Sequence, residues 1–152
     1  MTEIHSFYNN EILTGIAILS VLHEVEKLEV SKALLVQPIL SYRGVLNFVK
    51  KKNVKIRSIE ELISKKSLQF CNFNKRYFDN LELSMNAILL MKQLGFLDIR
   101  DDKLVRGNVE FDLDDKTLGD RANEIIKGAS NISNAINKGD ASNLYLSLRI
   151  EL

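Results

Sequence analysis

Nine apolar residues crowd the positions from Asn10 to Leu28: Ile12, Leu13, Ile16, Ile18, Leu19, Val21, Leu22, Val25 and Leu28. That density is too high for a helix lying on a surface and suits one surrounded on most sides, so a central helix with the rest of the chain packed around it is expected. The remaining segments follow from local signals. Ser31 is placed to cap a second segment, and a break is expected near Gln37-Pro38, because proline removes a backbone donor. The chain continues through Val45, Leu46, Phe48 and Val49 to a lysine run. Ser58-Ile59-Glu60-Glu61 then has the form of a capping box for a short helix over about 58–66. Phe70, Phe73, Tyr77 and Leu81 share one helical stripe, which reads better as core than as a base-stacking surface. A further helix spans Ser84 to Leu94 and ends at Gly95.

Two short runs, Phe96 to Arg100 and Lys103 to Gly107, flank Asp101-Asp102 and predict a β-hairpin. Helix, glycine and hairpin in that order form the second half of a winged-helix unit. Beyond it, Leu118, Ala122, Ile125, Ala129, Ile132 and Ile136 alternate spacings of four and three along a helix that Asp115 or Thr117 starts, a narrow seam interrupted by Gly128. The seam suits either the domain's own core or a partner helix, which makes Leu118, Ile125, Ile132 and Ile136 candidate contacts to a protein partner. The final apolar stretch, Leu144 to Ile150, is expected to be tied down. The fold class is thus mainly α with a small β-hairpin (α+β), a winged-helix-like core with extra N- and C-terminal helices. At 152 residues a single domain is expected, with parts at 1–57, 58–107 and 108–152.

Charge is segregated. A net charge of +1 conceals segments of −3 (1–42), +8 (43–76) and −4 (77–152). The middle segment is a basic belt of Arg43, Lys50, Lys51, Lys52, Lys55, Arg57, Lys65, Lys66, Lys75 and Arg76. It reads either as a solvated face or as a contact surface for phosphates or an acidic partner. From Asp79 to Asp102, over the candidate recognition helix and wing, the balance is the reverse: Asp79, Glu82, Asp98, Asp101 and Asp102 outnumber Lys92 and Arg100, which disfavours insertion into a DNA groove.

Signals for chemistry are lacking. His5 and His23 have no partner at a metal-ligand interval, and Asp112, Asp114 and Asp115 lack the glycine and glutamate of a calcium loop, so no metal is expected. There is no glycine-rich phosphate cradle and no cofactor signature. Cys71, the one cysteine, reads as a small buried or half-buried apolar residue, though a hydrolase built on it stays a third option. Catalysis is not expected. The charge-free stretches are too short to span a bilayer and the first residues do not read as a secretory signal, so a cytoplasmic location without membrane contact is expected, and the sequon at Asn131 is not expected to meet glycosylation machinery.

The order of features has a counterpart: Tyr8-Asn9 opening a long apolar helix, Leu35-Val36-Gln37-Pro38-Ile39-Leu40, the stretch Ser84-Met85-Asn86-Ala87-Ile88-Leu89-Leu90-Met91-Lys92-Gln93-Leu94-Gly95-Phe96-Leu97, an amphipathic helix and Leu146-Ser147-Leu148-Arg149. Together they resemble the middle components of three-component ABC systems, small accessory subunits of bacterial conflict systems such as Lamassu. Where the family's tail often resembles Leu-Gly-Val-Arg-Pro, Ser147 and Ile150 stand in place of the glycine and proline. The resemblance implies a non-catalytic adaptor joining an SMC-like ABC ATPase to an effector, often a nuclease, in anti-phage or anti-plasmid defence, with DNA reached, if at all, through the assembled complex. The competing reading is a stand-alone winged-helix DNA-binding regulator, supported by the hairpin and the basic belt.

Overall fold

The computed structural model describes the backbone from Thr2 to Leu152 and the side chains from Asn10 onward; His5 and Tyr8-Asn9 fall outside the residues so described. The chain is mainly helical with one small antiparallel sheet. In order, the elements are α1 (Thr2–His23), β1 (Lys27–Glu29), α2 (Val30–Ala33), α3 (Val36–Leu40), α4 (Arg43–Val49), α5 (Ile59–Lys65), α6 (Phe73–Gln93), β2 (Leu97–Arg100), β3 (Lys103–Arg106), α7 (Asp120–Asn137) and α8 (Ala141–Ser147). Single 3-10 turns at Ser67–Phe70 and Lys116–Leu118 lead into α6 and α7.

Helix α1 is central, as its apolar density requires. Its two main neighbours are α6 and α7, and Ile16, Ala17, Ile18, Leu19, Val21 and Leu22 are all buried. It stops at His23, five residues short of the apolar run, because the chain there turns into a strand. Leu28 lies in β1 opposite Leu104 of β3, with both side chains in the core. The guanidinium of Arg106, on β3, donates to the carbonyls of His23 (2.8 Å) and Val25 (3.0 Å), placing a cation at the negative end of α1. The sheet order is β1-β3-β2, so the hairpin's third strand comes from residue 27 onward, outside the 58–107 segment that holds the hairpin.

The hairpin forms where the alternation places it. Asp101 and Asp102 both take positive φ (52° and 63°), the handedness a two-residue hairpin turn needs and one that aspartate tolerates. Upstream, the stripe from Phe73 and the helix from Ser84 form a single 21-residue helix, α6, with Phe73, Tyr77, Ala87, Ile88 and Met91 buried. Leu94-Gly95 closes it: Phe96 N–H donates to Met91 C=O and Gly95 N–H to Lys92 C=O, both at 3.0 Å, with Gly95 at φ 85°. The same pair of bonds ends α8, Ile150 N–H to Tyr145 C=O and Arg149 N–H to Leu146 C=O. Here Arg149 takes the left-handed position (φ 58°), and Ser147 is the last residue of α8. Leu144, Leu148 and Ile150 are buried, and the Tyr145 hydroxyl donates to Ser31 C=O (2.7 Å) while lying 3.1 Å from that of Tyr77. Burial, then this contact, raises the Tyr145 phenol well above its ordinary value.

Several boundary expectations are corrected. Ser31 lies within α2 and makes no cap; Glu29 holds that position. The break falls at Leu34-Leu35, and Pro38 sits in the first turn of α3, where a missing N–H costs nothing. Asp115 caps the 3-10 turn, its carboxylate accepting from Thr117 N–H (2.9 Å), and α7 begins at Asp120 after Gly119. Ser58 does cap α5, accepting from Glu61 N–H at 3.1 Å. Cys71 is exposed rather than buried.

Gly95 and Gly107 meet back to back, with Gly107 N–H donating to Phe96 C=O and Val109 N–H to Gly95 C=O, both at 3.0 Å. A Cβ on Gly107 would stand 2.1 Å from the Gly95 carbonyl oxygen, a backbone atom with nowhere to go. Gly107→Ala is therefore expected to lower unfolding free energy by more than about 3 kcal/mol in urea titration, whereas Gly139→Ala, with nothing within 4 Å of its Cβ, should change it by less than about 0.5 kcal/mol.

Candidate functional site

The seam of α7 is core. Ile125, Ile132 and Ile136, with Ala122 and Ala129, are buried, and α7 packs on α1, α4 and α5; Leu118 is half-buried in the preceding 3-10 turn. As candidate partner contacts, Ile125, Ile132 and Ile136 are corrected: their apolar area is already removed from water by the chain itself. Gly128, an apparent flaw in the helix, lies where α4 ends. A Cβ there would come within 2.9 Å of Val49 Cγ2, so its absence lets the two helices close.

That contact matters because α4 runs straight into the lysine loop. On α7, one turn beyond Gly128, the buried Asn131 side chain grips the loop at three points. Its Oδ1 accepts from Ile56 N–H (2.9 Å), and its Nδ2 donates to Val49 C=O (2.8 Å) and Val54 C=O (3.0 Å). Together with the buried Ile56, this fixes residues 49–56 on α7 although the loop has no regular structure. The sequon at Asn131 thus has its amide committed inside the fold.

The belt does not act as one surface. Lys65 pairs with Glu61 (3.2 Å), and that hydrogen bond, helped by Arg57 N–H, holds the Glu61 carboxyl below its usual range. The Lys66 ammonium lies 4.8 Å from the Phe48 ring centroid. Lys75 bonds Asp79 at 2.7 Å, which raises its pKa. Arg76 is half-buried with its guanidinium over the Tyr42 ring; burial pulls its pKa down to about 10, so it stays charged at neutral pH. Arg43 is exposed at the start of α4.

Lys50, Lys51, Lys52, Lys55 and Arg57 instead line an open groove of about 550 Å³, whose opposite wall is the outer face of α7: Lys127, Ser130, Asn134 and Lys138. Among the described residues, seven cations and no carboxylate line it. One of the seven, Lys50, is 3.5 Å from Glu124 just outside. Lysines 127 and 138 are absent from the belt as read from the sequence because they are far from it along the chain. Their signal was the polar spacing 127, 130, 134, 138 on the helix face opposite the seam. Among the described residues no cluster of histidine, cysteine or acidic side chains could hold a metal, and no helix is long and apolar enough to cross a membrane.

A family model, ABC-three component (ABC-3C) system Middle Component 3, matches residues 9–152. The chain belongs to this family of middle components. No curated protein and no solved structure matches it.

Removing the Asn131 amide would leave one donor and two acceptors of the loop without their partner, at a largely buried site on the floor of the groove. Asn131→Ala is expected to destabilise the protein by about 2–4 kcal/mol in chemical unfolding. An unchanged midpoint would show that the loop is held by something else.

Proposed function

We propose that this middle component is a non-catalytic adaptor that links an SMC-like ABC ATPase to an effector, often a nuclease, in a Lamassu-type anti-phage or anti-plasmid defence complex. The observation that carries the reading is the family match over residues 9–152, since a middle component of a multi-component system has protein partners. The fold supplies a surface suited to one. Along α6, Phe78, Met85 and Leu89 are 44%, 51% and 54% exposed and fall on one stripe, flanked by Glu82 and Lys92. Aromatic and methionine side chains are what protein interfaces favour. The reading therefore moves the partner contact from the buried seam of α7 to the outer face of α6.

The stand-alone regulator is the weaker reading. The succession α1, β1, helices, α6, β2, β3 with sheet order β1-β3-β2 supports a winged helix with α6 in the recognition position and Asp101-Asp102 at the wing tip. A recognition helix showing Phe78, Glu82, Met85 and Leu89 and a wing ending in two aspartates carries the wrong chemistry for a polyanionic groove. We read this unit as a protein-docking winged helix within a single cytoplasmic domain.

Co-expressed with the ABC ATPase that this reading assigns it as partner, the tagged chain should retain that subunit on affinity purification. M85E/L89E, exposed and therefore tolerated by the fold, should reduce the recovered ATPase at least about tenfold. Failure of the unaltered chain to retain the ATPase would refute the adaptor reading.

A further inference from the structure

We infer that the groove between the 50–57 loop and α7 binds the phosphate backbone of duplex nucleic acid, independently of sequence and independently of the adaptor reading. Six of its cations, Lys51, Lys52, Lys55, Arg57, Lys127 and Lys138, make no ion pair among the described residues. They come from two segments of distant sequence that Asn131 and Gly128 lock together, so the charge is concentrated by the fold and not by composition. Holding like charges this close costs electrostatic energy that solvent and a bound polyanion both relieve, and a polyanion relieves it with release of its counterions.

The dimensions fit. Lys127 and Lys138 are eleven residues apart on α7, or about 16 Å at about 1.5 Å per residue. Phosphates of one strand recur about every 3.4 Å of duplex axis, so a groove lying along that axis spans about five of them. Its lining chemistry argues for backbone and against bases or protein. Among the described residues no aromatic side chain lines it, so they offer no platform for stacking unpaired bases. Six of its seven cations are lysines, the residue that protein interfaces deplete in favour of arginine and aromatics. Ser130 and Asn134 add neutral donors between the two lysines of α7, of the kind that commonly contact phosphate oxygens. The acidic wing and the apolar stripe of α6 lie on other elements, so a duplex in this groove does not require the winged helix to read it.

The test is fluorescence anisotropy of the full chain with a labelled mixed-sequence duplex of about 20 bp. Binding is expected at about 50 mM salt and should weaken about a thousandfold by about 200 mM, a log–log slope near −5 for five or six neutralised phosphates. K127E/K138E should weaken binding at least about tenfold at the lower salt and flatten the slope by about two, with its melting temperature within about 2 °C of the parent. K92E/K116E makes the same change in net charge away from the groove and should alter affinity less than about threefold. The proposal is overturned if the unaltered chain does not bind the duplex at the lower salt, if K127E/K138E binds as well as the parent, or if K92E/K116E loses as much. It is equally overturned if a polyglutamate peptide binds, is lost with K127E/K138E, and the duplex is not held; the groove would then be a dock for acidic protein.

Discussion

Three hydrogen bonds from one amide decide what the surface of this protein is. A loop carrying five cations in eight residues, Lys50 to Arg57, would by its charge alone be driven away from the structure and into solvent. Asn131 prevents this by satisfying an N–H and two carbonyls that the loop cannot satisfy within itself. The interaction is strong for a structural reason: the bonds to Ile56 N–H and Val49 C=O are buried, so breaking them leaves polar groups unpaired where water reaches them poorly. Gly128 contributes by omission, since only a residue without a side chain allows α4 to deliver the loop onto α7 at that spot. The apolar seam on one face of α7 and the polar grip at its edge are therefore parts of one device, which anchors the helix and then uses it as a wall.

The rest of the architecture serves the same helix. Packed between α6 and α7, α1 orders both, and Arg106 fastens its end to the sheet. Two surfaces of opposite character result: a cationic groove along α7 and an apolar stripe along α6. The proposed adaptor role calls for distinct surfaces, and a fold that segregates charge this way supplies two.

Much of this was legible in the sequence where the signal was local. The capping serine at 58, the glycine closing α6, the hairpin around Asp101-Asp102 and the period of the α7 seam all rest on interactions within a few residues, and each forms where it was expected. What escaped was non-local. The strand at Lys27–Glu29 exists only because β3 arrives beside it, and its one apolar residue, Leu28, continues the pattern of α1 so smoothly that periodicity alone extends the helix through it. The basic belt misled in the opposite sense. Composition grouped ten cations, but neighbours claim Lys65, Lys66, Lys75 and Arg76, while the fold recruits Lys127 and Lys138 from a segment that looks acidic in sequence. Asn131 gave only a misleading hint, a glycosylation sequon, because the partners of a buried amide cannot be read from its neighbours in the chain.

The grip of Asn131 on the loop is tested most directly by amide hydrogen exchange at Ile56, whose N–H has the Asn131 side chain as its acceptor. The account predicts that this proton exchanges only through openings nearly as costly as global unfolding, although it lies in an irregular loop, while the exposed Lys52 amide exchanges freely. Exchange at Ile56 as fast as at Lys52 would mean that the loop is not held on α7, and the groove would have no fixed second wall.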